Sequence, residues 1–184
     1  MTTTNTIAAE RPKSGEYNVY YDRYISLIPG TDILATLATQ LPKTVAQLSR
    51  SAADGELRYA PDKWSVKEVV GHLIDTERIM AYRALRIARN DRTPLPGFEQ
   101  DDYIRDGPFA EMRLADLVEE FKTVRAATLS MFRNLRASDW TRRGIANQDE
   151  ISVRALAFII AGHEVHHRDI LEERYFGKVR AEIA

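Results

Sequence analysis

The sequence predicts an all-α fold, an up-and-down four-helix bundle with a long connection between its second and third helices. Three observations predict it. Apolar residues recur at steps of 3 and 4 in separate stretches, the spacing of a helix with one buried face. No stretch alternates apolar and polar residues for long enough to read as a strand. The 184 residues are enough for one domain to bury a core without disulfides or a structural metal.

Residues 1–29 read as an N-terminal arm and 30–184 as the bundle domain. Met1 to Ala9 is Thr-rich and lacks the basic start and apolar core of a signal peptide. Residues 1 to about 15 are expected to be loosely held. Glu16 to Pro29 brings Tyr17, Tyr20, Tyr21 and Tyr24, whose rings can lie over the bundle or cross to a neighbouring copy. Thr31 or Asp32 then caps a first helix from Ile33 to about Ser51, with Leu34, Leu37, Leu41, Val45 and Leu48 as its inward stripe and Pro42 as a kink. Ala53 to Lys63 is a turn-rich linker.

The second helix has the clearest start. Ser65-Val66-Lys67-Glu68 has the form of a capping box, and Val66, Val69, Val70, Leu73, Met80, Ala84 and Ile87 form an apolar arc. His72 lies at the border of that arc. Glu77 lies near its middle, where a carboxylate is either a buried partner for an Arg or Tyr or an acid/base group. Asn90 to Met112 follows as a connection without secondary structure, a length that is often functional. Within it Phe98 to Tyr103 is expected either to lie over the His72 end of the bundle, where Glu99, Asp101, Asp102 and the catalytic candidate Tyr103 could offer acid/base or hydrogen-bonding groups, or to strap the outside of the helices. Leu114 to Leu135 is the third helix, with Leu117, Phe121, Val124, Thr128, Met131 and Leu135 inward, and Trp140 to Glu150 a second loop. Ser152 caps the fourth helix, which runs to about Tyr175.

Three of the chain's four histidines fall in that last helix, in Gly162-His163-Glu164-Val165-His166-His167. Val153, Leu156, Ile160, His163, His167 and Ile170 follow one another at steps of 3, 4, 3, 4 and 3, so two imidazoles take positions on the buried stripe. Residues four apart stack nearly one above the other and can share a metal ion. His166 belongs to a more polar stripe with Gly162, Asp169 and Glu173 and reads as a rim residue. A buried pair can also be two satisfied core histidines, and a third ligand is needed to decide. The same residues fit the H-E-x-x-H pattern of metallopeptidases, with Glu164 as a further catalytic candidate. Those enzymes need a downstream ligand and a sheet edge, whereas only 17 residues follow His167.

Composition excludes several classes. With 26 basic and 27 acidic residues and no basic block, a nucleic-acid partner is not expected. The chain has no cysteine, hence no disulfide, thiolate ligand or cysteine nucleophile, which fits a cytoplasmic protein. No apolar run approaches the roughly 18 residues of a membrane span.

Lys63-Trp64-Ser65-Val66-Lys67-Glu68-Val69-Val70-Gly71-His72-Leu73-Ile74-Asp75-Thr76-Glu77 and Ala161-Gly162-His163-Glu164-Val165-His166-His167, with Pro94 to Phe98 and Ser152 to Leu156, resemble the DinB/YfiT-like superfamily of metalloenzymes over about residues 30 to 175. The resemblance implies a four-helix bundle binding a divalent transition metal (Zn, Ni or Fe) through His72, His163 and His167. It implies a small-molecule substrate and activation of water or of a low-molecular-weight thiol, hence a hydrolase or thiol S-transferase, and a homodimer. A bundle in which the metal only stabilises the fold and the surface binds a partner is the alternative outside enzymology.

Overall fold

A computed structural model describes residues 10–50 and 55–177. A 3₁₀ turn at Val19–Tyr21 leads into the short α1 (Asp22–Ile25), and α2 (Ile33–Arg50) follows. Then come α3 (Val66–Ala88), α4 (Gln100–Asp106), α5 (Leu114–Arg133), a hairpin of β1 (Arg143–Ala146) and β2 (Asp149–Ser152), and α6 (Val153–Ile170). A π-helical turn, Leu171–Phe176, extends α6. None of these helices is long and apolar enough to cross a membrane.

The helix starts follow the local chemistry. The Asp32 carboxylate accepts from the amide of Ala35, at 2.9 Å. At α3 both halves of the capping box form: the Glu68 amide donates to Ser65 Oγ at 3.2 Å and the Ser65 amide to Glu68 Oε2 at 2.6 Å. The Ala155 amide meets Ser152 Oγ at 3.1 Å and starts α6. Pro42 lies within α2, which continues through it.

The bundle order departs from an up-and-down arrangement. Helices α2 and α3 each pack on α5 and α6, so α2 lies diagonally across from α3 and α5 from α6, whereas α3 and α5 are neighbours. Along α2 and α6, Gln40 donates to the carbonyl of Ala161, Thr44 to Glu164 and Gln47 to the carbonyl of Arg168, a register in which the two run parallel. Lys67 bonds the carbonyl of Ala110, just before α5, and Glu77 meets Arg125, so α3 and α5 are parallel too. His72 meets His163 while Arg142, which precedes α6, bonds the carbonyl of Ala88, so α3 and α6 are antiparallel. The order is up-down-down-up. Parallel neighbours must be joined by a chain that climbs back the length of a helix, about 35 Å for the 23 residues of α3. The connection from Arg89 to Arg113 makes that climb, and this is why it is long.

That connection is not structureless, and the fold is not strictly all-α. The Leu95 amide donates to the carbonyl of Ile145 at 2.9 Å, and the Asn147 amide to the carbonyl of Leu95 at 3.0 Å, clamping the connection to the hairpin edge. The hairpin turns on Asn147 and Gln148, both with positive φ (52° and 71°), the form of a two-residue turn matched to strand twist. The usual Asn-Gly signal is absent, which hid the hairpin from the sequence reading. Beyond the clamp, Gln100–Asp106 forms α4.

Two apolar clusters fill the bundle. Leu37, Met80, Ile87, Phe132, Trp140 and Phe158 belong to one, and Val66, Leu73, Phe109, Leu117, Phe121 and Tyr175 to the other. A polar layer separates them, and α2 serves it: Gln40, Thr44 and Gln47 are buried, whereas Leu34, Leu41 and Val45 of the expected stripe are only partly so.

Residues 1–9 of the expected loose arm lie outside the described residues, but the arm is fixed from Arg11 onward. Arg11 bonds the carbonyls of Ile28 and Ile25. The buried Glu16 carboxylate accepts from Ser152 Oγ at 2.8 Å and from the Arg154 guanidinium. Burial alone raises its pKa, but Arg154, Ser152 and the Lys13 amide outweigh that and hold it at about 2. Removing one partner of a buried pair strands the other charge. Glu16→Ala is therefore expected to cost about 3–5 kcal/mol, or on the order of 10 °C in thermal midpoint. The folded pKa lies below the ordinary 4.5, so this contribution is complete above about pH 4.5 and fades as pH falls toward 2. Melts of the two proteins across that window should converge.

Candidate metal centre

The site arises where two buried stripes meet. On α3, His72 begins a row with Thr76, Met80 and Arg83 at steps of 4, 4 and 3, one face of the helix. On α6, His163 and His167 face it. The ring nitrogens of His72, His163 and His167 lie within 4.8 Å of one another, and His72 Nε2 is 2.9 Å from His163 Nε2. His72 and His163 are 4% and 5% exposed, and His167 is partly buried. The structure thus brings together all three histidines singled out from the sequence.

Each glycine that precedes a histidine makes room for what packs behind it. A Cβ on Gly162 would stand 2.0 Å from the carbonyl oxygen of Tyr24, so only glycine admits α1 against α6 there. A Cβ on Gly71 would stand 2.4 Å from the ring of Phe109. The rings themselves are packed from outside. Tyr24 is edge-on to His163 with centroids 5.2 Å apart, Trp64 lies against His72 at 4.9 Å, and Thr76 Oγ1 is 3.4 Å from His72 Nδ1.

The electrostatics suit a cation. Burial, then the neighbouring His166, draws the pKa of His72 down to about 4. Burial and the other histidines push His163 and His167 well below the ordinary 6.5. All three are therefore neutral at pH 7 with ring lone pairs available, the form a metal binds. Zinc–imidazole bonds are about 2.0–2.1 Å long, so nitrogens up to about 4.2 Å apart can share one ion, and small ring rotations close the widest gap. The donor set fits a divalent transition metal, and three imidazoles leave coordination positions for other ligands. His166 is only partly buried and stacks edge-on against Tyr24 and His167 at the rim.

His72 and His163 lie at a cavity of about 380 Å³ that also reaches Thr76, Arg83, Tyr21, Tyr24 and Asn147. The segment Phe98 to Asp101 forms its wall, so that part of the connection lies over the histidine end of the bundle. A second cavity of about 460 Å³ opens on His167, with Trp64, Lys63 and Arg174. Gln100 and Asp101, at the start of α4, line both. Burial, chiefly, raises the pKa of Tyr21 and Tyr24, so both stay protonated and can donate hydrogen bonds.

The carboxylates expected as catalytic candidates go elsewhere. Glu77 takes a bidentate bond from Arg125, at 2.8 and 2.7 Å. Glu164 pairs with the same guanidinium at 2.8 Å and accepts from Thr44 at 2.6 Å. Both are buried and neither lines the cavity. Residue i+1 of a helix is rotated about 100° from its neighbour, which turns Glu164 from His163 toward α2 and α5. The general base that a metallopeptidase reading requires is thus committed to an ion pair. Tyr103 packs against Phe98, with centroids 5.3 Å apart, and lines a separate cavity with Arg78 and Asp106. Asp101, one of the loop groups expected at the site, does line it, whereas Thr76, Arg83 and Asn147 are site residues that the sequence did not single out. Thr76 and Arg83 were signalled by the row that begins at His72; Asn147 was hidden with the hairpin.

The model of the DinB superfamily matches residues 34–171. Among solved structures, Bacillus subtilis YfiT, a probable metal-dependent hydrolase with an unusual four-helix bundle topology, aligns with a TM-score of 0.65. It is 15% identical, and the alignment covers 91% of this chain and 95% of that one, a likeness of fold. No curated protein matches the sequence.

Two outcomes are expected at this site. Arg125→Met should lower stability by about 3–5 kcal/mol, read from the denaturant midpoint, because it strands two buried carboxylates. Chelated protein should lose stability as pH falls from 6.5 toward about 4, since the unfolded histidines take up protons that the folded ones refuse. Thermal melts between pH 6.5 and 5, above most carboxylate titration, check this.

Proposed function

Because the chain belongs to the DinB superfamily, we propose that it is a metal-dependent enzyme acting on a small molecule. His72, His163 and His167 hold one divalent ion, and water or a low-molecular-weight thiol is the nucleophile. The observation that carries this reading is the convergence of three neutral imidazoles, two buried and one partly so, between two cavities that open on them. When bound, the ion supplies Lewis acidity and lowers the pKa of the water or thiol toward neutrality.

The chain's own groups do the rest. Thr76 and Trp64 set the ring of His72, as outer partners of a ligand do. Tyr21 and Tyr24, held protonated, donate hydrogen bonds into the cavity. Asp101, with a place on both cavities, is the carboxylate positioned to take up a proton. The second cavity gives a second reactant its own approach to His167, an arrangement that favours transfer between two molecules as much as hydrolysis.

Elemental analysis of protein purified without chelator tests the reading. One transition-metal ion per chain is expected, lost in His72→Ala, His163→Ala and His167→Ala and kept in His166→Ala. Metal retained in the first three would show the ligands to be misassigned. Metal-dependent turnover is then sought with simple esters and amides, and with electrophiles in the presence of small thiols. Stoichiometric metal without either activity would point to a structural ion.

A further inference from the structure

Arg125, Arg154 and Arg83 are all deeply buried, and the third differs from the other two. Arg125 is held by Glu77 and Glu164, and Arg154 by Glu16. Arg83, only 3% exposed, has no carboxylate partner among the described residues. Its Nη2 donates to the carbonyl of Pro96 at 2.6 Å, its Nη1 lies 3.6 Å from the sulfur of Met80, and Phe98 packs on it with the ring centroid 5.8 Å away. The Tyr21 hydroxyl accepts a further hydrogen bond from it. A guanidinium has five N–H donors, and these contacts leave some without an acceptor. Burying a cation without an anion is costly, and holding Pro96 needs only one neutral donor. At the other two arginines the fold supplies an anion; at this one it supplies the cavity that contains His72 and His163.

We propose that Arg83 is the anion anchor of this site: it grips the carboxylate of a small monoanionic organic acid whose other end lies at the histidine triad. The proposal rests on reading that triad as the reactive centre. Arg83 stands 11 residues beyond His72 on the same face of α3, an axial rise of about 16 Å. Side chains lean toward the helix N-terminus, so the guanidinium is nearer the triad than that. Between the two ends the wall is Met80, Ile159 and Phe98, which suits an apolar or aromatic middle. Glu99, Asp101 and Asp149 line the same cavity and disfavour a dianion such as a phosphate monoester. A planar fork and a single negative charge select a carboxylate.

Titration calorimetry with phenylacetate and hexanoate, each against its neutral amide, tests the anchor. The wild type should bind the acids at least tenfold more tightly than the amides. Arg83→Gln, which keeps a donor for Pro96, should lose that preference, and Arg83→Lys should retain part of it. Amide affinity should change little in either, which marks intact folding. If the glutamine variant fails to fold, the lysine variant carries the test through a several-fold fall in acid affinity alone. His163→Ala should keep the preference, so this arm reads the anchor whether or not metal binds. Acids that bind wild type no better than amides overturn the proposal. So does a preference that survives Arg83→Gln, or one that vanishes with His163 and not with Arg83.

Discussion

One guanidinium reaches every helix of the bundle. Arg125 projects from α5, takes both oxygens of Glu77 on α3, pairs with Glu164 on α6 and donates to the carbonyl of Leu37 on α2 at 3.0 Å. Burial pulls its pKa down, but the two carboxylates outweigh that and hold it above its ordinary value, so it is charged throughout. Such a layer adds little net stability compared with an apolar one, yet any sliding of a helix would leave a charge buried and unpaired. The histidine triad inherits that register. Glu77 is five residues from His72 and Glu164 is next to His163, so the ion pair that aligns α3, α5 and α6 also brings the imidazoles level.

The up-down-down-up order has consequences of its own. It makes α2 run parallel with α6, where Gln40, Thr44 and Gln47 answer the carbonyls and carboxylates of that helix. It also obliges the chain to return from the end of α3 to the start of α5. The returning segment is clamped to the hairpin at Leu95, turns at Gly97, where any Cβ would meet Asn147 at 2.2 Å, and lays Phe98 to Asp101 along the cavity. The covering of the site is thus a by-product of the topology.

Neutral imidazoles, protonated tyrosines and a buried arginine give the cavity a character that the bulk charge of the chain, −1, does not suggest. Its floor offers lone pairs to a cation, and one wall offers donors to an anion. The carboxylates of the rim sit on α4 and β2, away from the ion-paired glutamates of the core. The ion-paired acids and those that line the cavity are thereby kept apart by the elements that carry them.

The sequence by itself determined the four long helices and their starts, because caps and periods of 3 and 4 are local properties of the chain, but not the short α4 within the connection. It determined the histidine stripe of α6 in the same way. The residues around His72, His163 and His167 also carried the family, through Lys63 to Glu77 and Ala161 to His167. Only the tertiary structure decided which helices run parallel, since loop length permits either order. It decided that Glu77 and Glu164 serve Arg125 and not the cavity, because the fate of a buried charge depends on a partner 39 or 48 residues away along the chain. It decided too that Arg83 faces a cavity with no carboxylate paired to it among the described residues. Periodicity shows which side of a helix is inward, and nothing in it says whether another residue or open space will be found there.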